Sequence, residues 1–389
     1  MDNELNQELI QERQAASSLV IGIDAGGTRT RAVLATADDG RPVGEGAAGP
    51  GNALTVPLPQ LTEHLAEAIG RAVPEPVRDR VVAVAGGFAG ATDAAADEPG
   101  RRNALAALTT ALHRLGIDAG PPVIGSDIEA AFASAPGTPA DGLALVAGTG
   151  AVAMRITDRR GTVTVDGDGW LLGDDGSGFW IGRAAVRAAL RMADGRGAPT
   201  VLAEAVGREL GVPGDALPGG ASGGAVRRLS PDVVSGTAEG GASRDGRHEK
   251  AQPVTGPTAV DGWSAGHIPW PRPHREAYRR HLLPAVMAEA PVRLARLAPL
   301  VVAAARDAED PVALAILDEA ADQLTETVRA LEPSPGERVV ATGGLLGPDG
   351  PLTDRLEARL HALGLTLDWV PDGCRGAVAL ARLAHGGRT

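Results

Sequence analysis

Apolar residues along the chain alternate between short runs and helical stripes. Leu19–Asp24 (LVIGID) is an apolar run ended by a glycine cluster, and Arg31–Thr36 continues as extended sequence. That pattern predicts strand, glycine turn, strand. Leu58, Leu61, Leu65 and Ile69 recur at helical spacing and predict an amphipathic helix to about Val73. Arg80–Ala85 reads as a buried strand, Arg101–Leu115 as a helix, Pro122–Gly125 as a short strand, and Ile128–Ser134 as the helix that follows it. The opening pattern then returns: Gly142–Val146 is a strand, Ala147–Gly150 a turn, and Val152–Ile156 a returning strand, with Val163–Val165 adding a third. A glycine-turn hairpin in each half suggests two related lobes.

Beyond the second hairpin, Trp180–Met192 is helical. Gly214–Arg275 is rich in Gly, Pro and Ser and holds no lasting periodicity, so it reads as an insertion, either a solvated linker or a lid carrying Trp263, Trp270 and Tyr278. Its GxSxG match at Gly220–Gly224 lacks the strand before and the helix after that a nucleophile elbow requires. Helices are expected at Tyr278–Met287, Pro291–Arg306 and Pro311–Leu331. Arg338–Ala341 is a buried strand ending in Thr342-Gly343-Gly344. A helix (Leu352, Leu356, Leu360), a strand (Leu365–Trp369) and a final helix (Ala377–Leu383) follow. The class is α/β, and the polar residues 1–18 read as a disordered leader.

Charge and composition then narrow the chemistry. The 389 residues carry a formal charge of −12, and Lys250 is the sole lysine among 37 basic side chains. Without a lysine in a glycine-rich loop or a strand, P-loop NTPase, protein-kinase and pyridoxal chemistries are excluded. The acidic balance argues against nucleic acid and against anionic membranes. One cysteine, Cys374, gives neither a disulfide framework nor a cysteine zinc site. No apolar run approaches the ~20 residues of a membrane span. The expectation is a cytoplasmic protein.

Five clusters carry candidate chemistry. In Asp24–Thr30, Gly26 and Gly27 let backbone amides approach an anion, Thr28 adds a hydroxyl, and Asp24 could hold a hydrated Mg²⁺. The alternative is an ordinary hairpin with Asp24 capping backbone donors. Gly148-Thr149-Gly150 repeats the turn in the second half, and the pair could clamp a polyphosphate. Asp127, after Ser126, is either a helix cap or a general base for a hydroxyl. Gly167–Trp180 combines Asp168, Asp174 and Asp175 with Trp170, Phe179 and Trp180. Carboxylates and a flat ring suit a polyol or sugar; the other reading is a tight turn with its rings in the core, which fits Trp180 and leaves Trp170 open. A calcium loop at Asp166 and Asp168 fails, because Trp170 and Leu171 occupy a ligand position and the glycine position. Gly343 and Gly344 allow a flat base near the backbone, or are a plain turn.

In this order the clusters resemble the acetate-kinase/hexokinase/actin-type ATPase superfamily, and more narrowly the N-acetylglucosamine kinase group of the BadF/BadG/BcrA/BcrD ATPase family. The matching stretches are Gly22–Thr30, Gly49–Asn52, Ser126-Asp127, Gly148–Gly150, Gly173–Ile181 and Thr342–Gly347. The resemblance implies two ribonuclease-H-like lobes (an actin-like ATPase fold) around a cleft. They would span residues 19–125 and 126–373, with the helix 374–385 returning to the first lobe and the insertion 214–275 inside the second. It implies ATP-dependent, Mg²⁺-dependent phosphorylation of N-acetylglucosamine at the 6-hydroxyl by a homodimer. Thr28 and Thr149 would contact ATP phosphates, and Ala298, Gly343 and Gly344 would line the adenine site. Asn52, Gly169, Trp170 and Asp174 would bind sugar, and Asp127 would be the base. Trp170 lies four residues before Asp174, where a commoner family spacing is six. Glucosamine or N-acetylmuramic acid are alternative substrates, and a non-catalytic nucleotide or sugar sensor is an alternative role. The cysteine motifs of two related groups, a zinc motif and an iron–sulfur cluster, are absent.

Overall fold

The structure, a computed structural model, describes residues 17–92, 98–219 and 270–386. The leader up to residue 16, the GxSxG match, Lys250 and Trp263 lie outside the described residues. Two five-stranded sheets share one topology. The first contains β1 (Leu19–Ala25), β2 (Thr30–Thr36), β3 (Pro42–Ala48), β4 (Val81–Phe88) and β5 (Val123–Ser126), in the order β3-β2-β1-β4-β5. The second contains β6 (Gly142–Ala147), β7 (Ala151–Thr157), β8 (Arg160–Asp166), β9 (Arg338–Thr342) and β10 (Thr366–Trp369), in the order β8-β7-β6-β9-β10. In each, the first three strands pair antiparallel and the last two join in parallel. The repeated hairpin expected from sequence is therefore the visible part of a repeated sheet.

Both sheets are covered on both faces, as parallel strands require. In the first, Ile21, Ile23 and Leu34 pack under α1 (Leu58–Ala72) and α2 (Pro99–Arg114). On its other face Val20, Ala83 and Ala85 meet Val378 and Ala381 of α10 (Cys374–Gly386). In the second, Leu143, Leu145 and Ala341 join the larger core. That core is built by α4 (Gly178–Asp194), α5 (Leu202–Glu209), α6 (Arg272–Met287), α7 (Ala298–Asp307), α8 (Pro311–Arg329) and α9 (Thr353–Ala362). Its opposite face, Ala144, Met154 and Val340, packs on Phe132 of α3 (Asp127–Ala133). Helices α3 and α10 follow the fifth strand of each sheet and pack on one another. A Cβ at Gly376 would strike the Ala130 carbonyl oxygen, so the helices meet at backbone distance.

Three sequence expectations change. The single helix expected over Pro291–Arg306 is a 3₁₀ turn, Pro291–Leu297, followed by α7. Pro299 cannot continue a helix from its N-terminal side but fits the first turn of a new one. The segment assigned to the insertion is ordered at both ends: a 3₁₀ turn spans Gly214–Ala216 and α6 starts at Arg272. Trp270 Nε1 donates to the Ala216 carbonyl at 3.1 Å, tying the two ends together. Tyr278 is fully buried with its hydroxyl on the Ala203 carbonyl at 2.7 Å, so it is a core residue and no part of a lid. Strand β3 and helix α5 stand where the sequence pattern predicts no element; β3 (PVGEGAA) is a half-exposed edge strand without hydrophobic alternation.

Candidate active site

The three glycine turns stand at the ends of inner strands. In the β1–β2 turn Gly26 N–H donates to the Arg29 carbonyl at 2.9 Å, and Gly27 and Thr28 are exposed. In the β6–β7 turn Gly148 N–H donates to the Gly150 carbonyl at 2.9 Å, while the Gly148 carbonyl accepts from Gly178 at the start of α4 at 2.8 Å. Gly343, after β9, is bound to that second turn: a Cβ there would strike the Ala147 carbonyl oxygen, and its φ is +110°. Leu345 N–H donates to the same oxygen at 3.1 Å.

The glycines divide into two kinds. Gly343 and Gly150 are demanded by the protein's own packing, the latter because a Cβ would lie 2.5 Å from Asp174 Oδ1. Gly27, Gly148 and Gly344 are not: each has ordinary φ, and a Cβ would meet nothing within 4 Å. Among the described glycines only Gly214 and Gly386 share that condition, so three of five such positions fall in the three turns. A glycine that the fold does not need, with open space before it, fits the close approach of a bound ligand to the backbone.

Two carboxylates lie at the same sheet end. Asp24 on β1 pairs in register with Gly87 on β4, and Gly87 with Gly125 on β5. Asp24 and the residues after β5 are thus about 10 Å apart across a glycine that leaves the intervening position bare. Gly87 also lets α3 approach, since a Cβ would lie 3.1 Å from Asp127 Cα. The capping question at Asp127 resolves locally. Ser126 is the N-cap, its Oγ accepting from Glu129 N–H at 3.1 Å while Glu129 Oε2 accepts from Ser126 N–H at 2.9 Å. Asp127 stands at the first helical position outside that capping box, its Oδ1 accepting the Ile128 N–H at 3.0 Å. Burial, reinforced by the charge of Asp24, raises its carboxyl to about 6. No cationic side chain among the described residues is in ion-pair range.

Asp24 is also raised by burial, a shift opposed by Arg31, whose Nη2 is 3.8 Å away. Arg31 chiefly binds Asp372, Nη1 to Oδ2 at 2.6 Å. Asp24, Asp372 and Cys374 bring their ligand atoms within 4.8 Å of one another. That trio does not suit Mg²⁺, because a thiol is a soft donor and Arg31 already holds Asp372. Asp24 by itself does suit it: a hard oxygen donor whose charge raises the Asp127 carboxyl, where a divalent cation would relieve the repulsion.

The loop after β8 is organised by Asp166, considered from sequence only as a failed calcium ligand. Its Oδ1 accepts from Gly167 and Asp174 N–H, both at 2.7 Å, and its Oδ2 from Asp175 N–H at 2.9 Å. Asp166 and Asp174 both have positive φ, 62° and 59°, a strained state tolerated best by Asx residues and concentrated at functional sites. Asp174 Oδ1 in turn accepts from Ala151 N–H at 3.1 Å, which seats it on the second glycine turn, and burial raises its carboxyl. Trp170 follows Gly169 (φ +81°), is 39% exposed and meets Phe179 edge-on at 6.1 Å, which removes the core reading; Trp180 is core, at 9%. Asn52 Oδ1 folds its own loop by accepting from Leu54 and Thr55 N–H at 2.9 and 3.0 Å, and its Nδ2 has no protein acceptor among the described residues. Ala298 is buried at the start of α7. It is the preceding 3₁₀ segment that touches the turn region, Ala295 Cβ lying 3.7 Å from a Cβ built on Gly178. The residues missed from sequence are Asp166, Gly87 and the Arg31–Asp372 pair.

The family model of BadF/BadG/BcrA/BcrD ATPases matches residues 21–356. No curated protein was found to match the chain. Among solved structures, a candidate N-acetylglucosamine kinase from Chromobacterium violaceum is 20% identical, with a TM-score of 0.58 over 94% of this chain and 99% of that one. A candidate N-acetylglucosamine kinase from Porphyromonas gingivalis is 16% identical, again with a TM-score of 0.58, over 95% and 99%. At these identities the likeness is one of fold, the two-lobed actin-like ATPase architecture. The glycine turns, Asp24, Asp127 and the Asp166–Asp174 loop all fall inside the matched residues, and the chain belongs to the BadF/BadG/BcrA/BcrD ATPase family.

Proposed function

We propose that the protein is an ATP-dependent sugar kinase that phosphorylates an amino sugar, N-acetylglucosamine, at its 6-hydroxyl. The observation that carries the reading is the pairing of unneeded, open glycines at 27, 148 and 344 with an uncompensated, enclosed carboxylate at Asp127. ATP would lie with its phosphates on the amides of Gly26, Gly27, Gly148 and Gly150 and the hydroxyls of Thr28 and Thr149, a lysine-free anion site. Its adenine would lie against Gly343 and Gly344, near Ala298. Asn52 Nδ2, the free oxygen of Asp174 and the exposed ring of Trp170, next to Gly169, would hold the sugar. Asp127 takes the proton of the attacking hydroxyl as the oxygen bonds to the γ-phosphorus and ADP departs. Asp24 would hold Mg²⁺, which would supply charge neutralisation to the phosphates. The structural relatives from C. violaceum and P. gingivalis support the choice of N-acetylglucosamine over glucosamine or N-acetylmuramic acid.

The test is ADP release from ATP across a panel of amino sugars and neutral hexoses. N-acetylglucosamine should give the highest kcat/KM. Folded protein that binds sugar without sugar-stimulated ADP release would instead make it a sensor.

A further inference from the structure

Helix α4 carries Arg183, Arg187 and Arg191 at spacings of four, one stripe with about 6 Å between steps. They line a groove of about 440 Å³ between α4 and α8, together with Arg196 beyond the helix end and an apolar floor that includes Trp180 and Ile316. Several other helical arginines are matched by an acid on the same face: Arg71 with Glu67, Arg208 with Glu204, Arg272 with Glu276, Arg329 with Glu326. Here the stripe is unmatched. Arg183 lies over the Phe179 ring at 5.3 Å, and Arg191 donates to the Arg196 carbonyl at 3.2 Å. Among the described residues no carboxylate is in ion-pair range of Arg183, Arg187 or Arg191. Arg196 pairs with Asp194, and the one acid lining the groove, Glu319, pairs with none of them.

Like charges at this helical spacing repel. Gathered in a concavity of a protein of net charge −12, they make a local concentration of positive charge. The volume lies in the range of small-molecule sites. Guanidinium forks on adjacent turns match phosphate oxygens bidentately, and the floor of Trp180 and Ile316 accepts an apolar or flat moiety.

We propose that this groove is a binding site for a small organic phosphate carrying two or more phosphoryl groups, separate from the glycine turns. It does not depend on the kinase reading, since it is argued from residues that reading does not use.

Inorganic pyrophosphate is the probe, added to the full chain in phosphate-free, low-salt buffer. Wild type is compared with Arg187→Gln/Arg191→Gln and with Arg187→Lys/Arg191→Lys. Without probe the Gln variant should melt at or above the wild-type temperature, because like-charge repulsion is removed. With probe, wild type should gain several degrees more than the Gln variant, and the calorimetric Kd should weaken at least tenfold in that variant. The Lys variant keeps the charge but loses the fork, and should fall between. Any pyrophosphate bound at the glycine turns stabilises all three alike and cancels in the comparison. Equal melting shifts, or a Kd within twofold across the three proteins, would overturn the site.

Discussion

The fifth strand of each sheet delivers an aspartate at or just before the start of the following helix, and the two aspartates have opposite surroundings. After β5, Asp127 opens α3 with no cation in reach, and its carboxyl is raised to about 6. After β10, Asp372 precedes α10, binds Arg31 at 2.6 Å and accepts the Cys374 N–H at 2.9 Å. Duplicated architecture has yielded one strut and one reactive group. The difference teaches that position in the fold does not make the acid: withholding the arginine does. A half-buried carboxylate without a cation costs stability, and its persistence at Asp127 is what a proton acceptor needs.

Replacing each acid tests that contrast. Asp127→Asn should lower kcat by ~10³-fold or more with ATP binding retained, measured by coupled ADP release and calorimetry. The same variant should melt higher than wild type. Because the folded-state pKa lies above the unfolded value, the folded protein binds more protons between about pH 4 and 6, so stability falls as pH rises through that window. Above it the charged form costs the fold up to about 3 kcal/mol. A variant that loses activity and stability together would erase the distinction between reactive group and strut.

Gly27→Ala and Gly148→Ala ask whether the two lobes contribute equally. Both should melt as wild type, having no neighbour to strike, while the KM for ATP rises roughly tenfold through lost backbone approach. Gly343→Ala, by contrast, should be unstable whether or not nucleotide is present. A pH series sharpens the acid itself: kcat/KM should fall about tenfold per pH unit below pH 6, as Asp127 gains the proton that disables it. Smallest is Asp372→Asn, which weakens a partly exposed ion pair and should cost about 0.5–1 kcal/mol by denaturant titration, with kcat little changed.

Much of this was legible in the residues. Both glycine hairpins, nine of the ten strands and most of the amphipathic helices announce themselves through apolar runs and four-residue steps. The Asp127 question is legible too: Ser126–Glu129 (SDIE) fits a capping box, which assigns the cap to Ser126 rather than to Asp127. Pro299 similarly marks the helix break before α7. What could not be read is long-range. Arg31 and Asp372 are 341 residues apart, and the hold of Asp166 on Asp174 depends on a loop that folds back through eight positions with two acids at positive φ. β3 escapes because an edge strand buries too little to show alternation.

Helix α10 has a consequence for how the molecule is made. Its Val378 and Ala381 complete one face of the first sheet, yet residues 374–386 follow the entire second lobe in the chain. On a ribosome the first sheet emerges early and waits, with Val20, Ala83 and Ala85 uncovered, until the second lobe has been synthesised. The part made first is therefore among the last to be finished. Lesions near residue 380 will show themselves as defects in the N-terminal half.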